Sequence, residues 1–325
     1  MTVFPPLRLI VSLILLSWFG AGVAYAQTPC ARGALDAKYC DVDGDMLADV
    51  PTAPKSLIDP DTLIFSYTPL EDPAVYAKMW DDFIAHIEKA TGKKVRLFLV
   101  QSNAAQLEAL RAGRLHITGV NTGSVPVAAN CTGFIPFSIM SGPAGPYGYH
   151  MEMIVPATSK VTEPRGLKGK TIAFTSPTSN SGFKAPAFIL QSEFGLKPDI
   201  DYKTIFSGKH DNSILGVVNG DYEAAAVAST VLDRMAARQA YDSSAIRSIY
   251  KSKTFPTTAY GYAYNLKPEL AEKIRQAFFS YKIDSDKAMA AEFPGQSRFV
   301  PMTYKTDWEM IRNIDAGTGV TYDCK

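Results

Sequence analysis

Residues 175–182 read TSPTSNSG and place five hydroxyl side chains and one amide in a single turn. No Lys falls among them and no G-x-x-x-x-G-K-[ST] pattern occurs, so this is not a nucleotide phosphate loop. Ser179, Asn180 and Ser181 are residue types that cap and open helices. The first amides of a helix lack intrahelical acceptors and sit at the positive end of its dipole. Hydroxyls gathered there suit a small oxyanion, although an ordinary N-cap uses the same residues. Other candidates are Tyr67, which ends an apolar run; Thr122 and Ser124 in Asn121-Thr122-Gly123-Ser124; His210 in SGKHDNS; and Glu223 before Ala224-Ala225-Ala226. His210 as an imidazolium would donate to an anion. Glu223 would accept from a protonated oxyanion or hold the His tautomer. Alone, His210 reads equally as a capping residue and Glu223 as a solvated carboxylate.

Ser179, His210 and Glu223 also form a Ser-His-Glu set on paper. No G-x-S-x-G elbow and no H-E-x-x-H pair accompanies it, and His86, His116 and His150 are dispersed. These absences argue against a hydrolase, and nothing here calls for a cofactor.

Alternating strands and helices must position these groups. Strands are expected at 62–67, 94–100 and 115–120. Helices are expected at 74–91, where Val75, Met79, Phe83 and Ile87 keep helical spacing, at 104–111 and at 125–130. An apolar segment follows at 134–140. The breaker-rich GPAGPYG at 142–148 then reads as a crossover. A second unit runs through strands at 151–156, 170–174, 204–206 and 224–228, with helices at 183–194 and 213–218. An extended stretch at 253–264 leads to helices at 268–281 and 306–316. A β-α unit that is left and re-entered implies an α/β protein of two lobes, each a mostly parallel sheet flanked by helices, joined by two hinge strands. The expected lobes are 61–145 with 260–325, and 146–259. Ligands of such sheets bind beyond the carboxyl ends of the strands.

The N-terminus has Arg8, an apolar stretch from Leu9 to Phe19 and Ala24-Tyr25-Ala26, the pattern of a cleaved export signal over 1–26. On this reading the mature chain, from Gln27, is exported and soluble. With a net charge of +1 and scattered charges, nothing argues for nucleic acid or an anionic membrane surface as a partner. Nothing calls for more than a monomer. Residues 27–60 form a polar extension holding Asp41, Asp43, Asp45 and Asp49. Carboxylates at alternate positions around Gly44 resemble a calcium loop, but the Glu that closes an EF-hand is missing, which favours a solvated acidic turn. Cys30, Cys40, Cys131 and Cys324 would meet an oxidising compartment, with connectivity open.

The order of the first-strand Tyr67, the T-S-x-S-G turn at 178–182, the G-x-H-x-x-S helix start at 208–213 and the V-x-N-G-x-x-[DE]-A-A-A strand at 217–226 resembles the phosphonate-binding family of periplasmic solute-binding proteins. The resemblance runs from about residue 63 to the C-terminus. It implies a type II periplasmic binding protein feeding a small phosphorus oxyanion (phosphate, phosphite or phosphonate) to a membrane ABC permease. Tyr67, Ser179, Asn180, Ser181, His210 and Glu223 become ligand contacts. Asn180 replaces the family's usual Thr, Glu223 its usual Asp, and 121–125 its usual G-P-x-S-Y turn. The wider family includes arsenite sensors of the AioX type, which use a cysteine and report to a histidine kinase. On that alternative Cys131 is a free thiol suited to trivalent arsenic; otherwise it is a disulfide partner of Cys324 or a buried thiol.

Overall fold

The structure is a computed structural model that describes Met1, residues 30–322 and Cys324. The expected export signal, apart from Met1, lies outside the described residues. The strands are β1 (Thr62–Tyr67), β2 (Lys94–Leu97), β3 (Ile117–Val120), β4 (Phe134–Gly142), β5 (Gly145–Pro146), β6 (Gly148–Pro156), β7 (Thr171–Phe174), β8 (Lys203–Phe206), β9 (Ala224–Ala228), β10 (Ile246–Pro256), β11 (Ala259–Ala263) and β12 (Arg298–Pro301). The helices are α1 (Asp81–Thr91), α2 (Asn103–Arg111), α3 (Val125–Thr132), α4 (Ala185–Phe194), α5 (His210–Val218), α6 (Ser229–Ala237), α7 (Pro268–Ser280), α8 (Lys287–Glu292), α9 (Tyr304–Asp307) and α10 (Glu309–Gly317).

Two sheets organise these elements. A seven-stranded sheet runs β12-β4-β11-β3-β1-β2 with β5 on β4, and a five-stranded sheet runs β10-β6-β9-β7-β8. In each, three neighbours are parallel, β2-β1-β3 and β8-β7-β9. The hinge strands join antiparallel: β11 on β3, and β6 between β9 and β10. The chain crosses between sheets twice, from β5 into β6 and from β10 into β11. The Gly-Pro run at 142–148 thus closes a hairpin and serves as the first crossover.

Local sequence explains the element ends. Ser102 caps α2 by accepting from the Ala105 amide at 3.1 Å, and Gly92 ends α1 at φ 72°. The helix expected over 74–91 is split: Pro73–Tyr76 makes one tight turn and α1 begins at Asp81. Burial of Tyr76 and Trp80 outranks the 3.6-residue stripe, and Val75 is left exposed. The first lobe buries an aromatic core, with Phe83 edge-on to Phe278 at 4.8 Å and Phe65 edge-on to Trp80 at 4.9 Å. In the second, all five residues of β9 are small and buried, so α5 and α6 pack close to the strand.

Residues 31–60 wrap the first lobe: Tyr39 packs edge-on to Tyr264, and the Asp36 amide donates to the Asn130 carbonyl at 2.8 Å. Helix α10, expected with the first lobe, lies against α4 of the second, where Lys184 and Asp315 form a buried ion pair at 2.8 Å. Cys131 is bonded to Cys324 across 193 residues, and no cysteine is free among the described residues. No helix among the described residues is long and apolar enough to cross a membrane.

The disulfide ties the C-terminal tail to α3. Replacing Cys131 and Cys324 together by Ser is expected to lower the unfolding free energy by about 2–5 kcal/mol in a denaturant titration. An unchanged midpoint would show that α10 alone holds the tail.

Candidate ligand-binding cleft

The carboxyl ends of β1 and β3 face those of β7, β8 and β9, and the turns beyond them enclose a cavity between the lobes. It leaves about 30 Å³ for the centres of water-sized molecules, whereas one water needs roughly 10–15 Å³ on that measure. As closed here, the cavity suits a ligand of a few heavy atoms.

Ser179 caps the helix start: its Oγ accepts from the Gly182 amide at 3.1 Å and its own proton remains free. The first turn, Asn180–Lys184, is wider than an α-turn, with the Ala185 amide reaching back to the Asn180 carbonyl. Such wide turns recur at functional sites. Asn180 donates Nδ2 to the Tyr149 hydroxyl at 2.9 Å, and its buried Oδ1 has no hydrogen-bond partner. Burial raises the Tyr149 phenol pKa, with hydrogen bonds from Thr122, Asn180 and Ser181 opposing the shift. Tyr149 stays a neutral hydroxyl.

His210 opens α5 and is buried. The Ala228 amide donates to its Nδ1 at 3.2 Å, so the ring proton resides on Nε2. Burial, then the charge of Arg234, pulls its pKa down to about 3. The ring is therefore a neutral donor; the imidazolium, a conditional reading of the sequence, is disfavoured by burial and by the nearby guanidinium. Tyr67 sits at the opposite wall, its pKa pushed up to about 12, mainly by burial. Thr122 donates its hydroxyl to the hinge carbonyl of Pro256 at 2.8 Å, leaving lone pairs at the cavity wall.

Arg234 is the charged side chain of the wall, and no carboxylate lines it among the described residues. Burial opposes its charge, but its surroundings outweigh burial, with the Glu71 carboxylate as the anion beside it, and keep it protonated. It comes from α6, a helix not anticipated from the sequence. Its Nε and Nη2 donate to Glu71 of the first lobe at 3.2 and 3.1 Å. Arg238 also pairs with Glu71, and with Glu292 at 2.8 Å. A signal was present: Ser229-Thr230 directly follows the all-small strand, so the next helix starts at the ligand edge.

The lobes meet tightly at two turns. A Cβ on Gly123 would lie 2.4 Å from both the Asn180 nitrogen and the Thr178 oxygen. Lys184 reaches across to the Gly123 carbonyl at 2.8 Å, and Ser124 donates to Thr178 at 2.9 Å.

Residues 65–308 match the family model described as ABC transporter, phosphonate, periplasmic substrate-binding protein. The chain belongs to this family. It is 26% identical over 229 residues to the phosphate-import protein PhnD of Mycolicibacterium smegmatis, covering 67% of this chain and 71% of that protein. It is 24% identical over 215 residues to the phosphonates-binding periplasmic protein of Escherichia coli, covering 65% of this chain and 63% of that protein. The fold matches the binding protein of a Pseudomonas aeruginosa ABC phosphonate transporter (TM-score 0.70, 20% identity, 79% of this chain and 86% of that one). It also matches PhnD1 of Prochlorococcus marinus in complex with methylphosphonate (TM-score 0.70, 18% identity, 81% of this chain and all of that one).

Among the residues expected in this phosphonate-family receptor, the structure brings Tyr67, Thr122, Ser179, Asn180, Ser181 and His210 to one cavity. It does not bring Glu223. That carboxylate pairs with Lys170 at 2.9 Å and accepts from the Thr171 amide at 2.8 Å on the surface, at the amino end of β9, one strand length from the ligand edge. Those same bonds, the Lys170 hydrogen bond foremost, hold its pKa below the usual carboxylate range. The Ser-His-Glu set is therefore not assembled. Ser124 lies beneath the cavity, bonded to Asn121 and Thr178. Cys131 is a buried disulfide sulfur away from the wall, so the thiolate that arsenite would need is absent.

Two outcomes follow for this cleft. Gly123→Ala places a methyl against backbone that has no room to yield, so the lobes should stay apart. Calorimetry should show ligand affinity down by more than about tenfold with the fold intact by circular dichroism; wild-type affinity would mean the turns do not meet. For His210, an unfolded His takes up a proton near pH 6.5, whereas the folded ring resists it to about 3. The unfolded chain then binds more protons between these values. Stability from this site is complete above about pH 6.5 and is lost as pH falls toward about 3. His210→Gln should flatten the decline of unfolding free energy over that window, and a slope equal to wild type would refute a neutral buried ring.

Proposed function

We propose that the protein captures a small phosphorus oxyanion (phosphate, phosphite or a short phosphonate) in the periplasm and delivers it to an ABC permease. The observation that carries this reading is the asymmetry of the cavity. One wall is polar, with the Ser179 and Ser181 hydroxyls at a helix start, the His210 Nε2 proton and the Arg234 guanidinium. The facing wall carries an apolar patch, Met140, Tyr260 and Phe293 beside the Tyr67 phenol, among the polar side chains of Asn121, Thr122 and Thr258. Donors converging on one side suit oxyanion oxygens, and the apolar patch suits a P–H or P–CH₃ substituent more than a fourth oxygen. The unpartnered Asn180 Oδ1 takes the role first assigned to Glu223, accepting the proton of a singly protonated ligand. Among the described residues no carboxylate lines the cavity to repel a dianion. Release would proceed by a hinge motion at the two crossovers that parts the turns at 121–124 and 178–181.

Calorimetric titration with methylphosphonate, phosphite, phosphate and arsenite separates the readings. Binding of one of the phosphorus ligands is expected, methylphosphonate or phosphite ahead of phosphate, and none of arsenite. Ser181→Ala should remove one charge-assisted hydrogen bond, costing about 1.5–3 kcal/mol, or roughly ten- to a hundredfold in affinity. Failure of all three phosphorus ligands to bind, or full affinity in both Ser179→Ala and Ser181→Ala, would place the ligand elsewhere.

A further inference from the structure

We propose that the loop from Asp41 to Asp49, remote in role from the oxyanion cleft, binds one divalent cation of calcium's size. Asp41, Asp43 and Asp45 each bring a carboxylate oxygen to within 4.8 Å of the others. Calcium holds its oxygen ligands at about 2.3–2.6 Å, so ligands on opposite sides of one ion stand about 4.6–5.2 Å apart. A single ion between them reaches all three once the exposed Asp43 and Asp45 close in by a few tenths of an ångström.

The free oxygens are set up by the backbone. Met46 donates its amide to Asp41 Oδ2 at 3.2 Å and Asp45 donates to Asp43 Oδ1 at 3.2 Å. Leu47 donates to Asp45 Oδ1 at 2.8 Å and Val42 to Asp49 Oδ2 at 2.9 Å. One oxygen of each carboxylate is thus occupied, and the other has no hydrogen-bond partner among the described residues. The decisive case is Asp41. Its side chain is only 8% exposed, and its Oδ1 is buried with no partner. An unpaired carboxylate oxygen out of water is costly, and a cation shared with Asp43 and Asp45 removes that cost. No Lys or Arg makes an ion pair with any of the four carboxylates among the described residues. Lys305 approaches the loop, but its Nζ donates to the Gly44 carbonyl at 2.8 Å.

Hard oxygen donors of this kind select calcium or magnesium over softer metals. An irregular loop of carboxylates matches the flexible shell of calcium better than the strict octahedron of magnesium. A bound ion would brace the extension where Leu47 is buried in the core and Lys305 joins the loop to α9.

The test uses the full mature chain after treatment with a chelator. Titration with calcium chloride in a calorimeter should show one saturable site with a Kd of about 10⁻⁴–10⁻³ M, the range of extracellular calcium modules. Saturating calcium should raise the thermal unfolding midpoint, and magnesium should do so less. Asp43 and Asp45 are exposed, so Asp43→Asn with Asp45→Asn leaves the fold intact, to be checked by circular dichroism. That pair should weaken calcium binding by about tenfold or more, whereas Ser181→Ala should leave it unchanged. No saturable calcium binding up to about 10 mM, or equal affinity in the Asp43/Asp45 variant, would overturn the proposal. Loss of oxyanion binding in Ser181→Ala with calcium binding retained would leave it standing.

Discussion

The missing side chain of Gly123 is what allows the two lobes to form one cavity. The turn at 121–124 rests directly on the backbone of 178–180, and that contact brings the carboxyl ends of both sheets together. Groups across the seam then find partners: Lys184 on the Gly123 carbonyl, Ser124 on Thr178, and the His210 amide on the Leu70 carbonyl at 3.1 Å. Backbone contact of this kind is unforgiving, because neither side has a rotamer to change.

Electrostatics in the cleft follow from the same closure. Glu71 and Arg234 belong to different lobes and are both almost fully buried. Removing either would leave an unpaired buried charge, which costs far more than the pair contributes. With Arg238 and Glu292 they form a balanced group of two cations and two anions. The cavity therefore presents a guanidinium whose charge is largely compensated behind it. Selectivity for an anion must come from oriented hydroxyls, a neutral imidazole N–H and a helix start. These are short-range, directional donors, suited to recognising the shape of a small oxyanion.

Several parts of this arrangement were legible in order and type. Ser179, Asn180 and Ser181 could be placed at a helix start because capping is a local property of residues a few positions apart. Tyr67 and Thr122 could be placed at the ligand edge because strands of a doubly wound sheet present their carboxyl ends to the cleft. Glu223 was misplaced for the converse reason. It precedes β9, so the five residues of that strand hold it roughly 16 Å from the edge that borders the cavity. Arg234 was missed because an Arg on an amphipathic helix looks like any solvated cation until its partner is known. That partner, Glu71, is 163 residues away.

By itself the sequence determined the types of most elements, though not α6, α8 or β12, the re-entrant two-lobe connectivity and the hydroxyl-rich turn. Each depends on periodicity, caps and breakers acting over a handful of residues. Tertiary structure decided what depends on distant groups meeting. It paired Cys131 with Cys324, which withdrew the thiolate reading. It buried His210 beside Arg234, which set the ring neutral. It also carried α10 from the first lobe's sequence onto the second lobe's α4 through Lys184 and Asp315. Local pattern specifies a side chain's identity and the element it belongs to. Its charge state and its partner are set by burial and by neighbours, and those exist only once the lobes have closed.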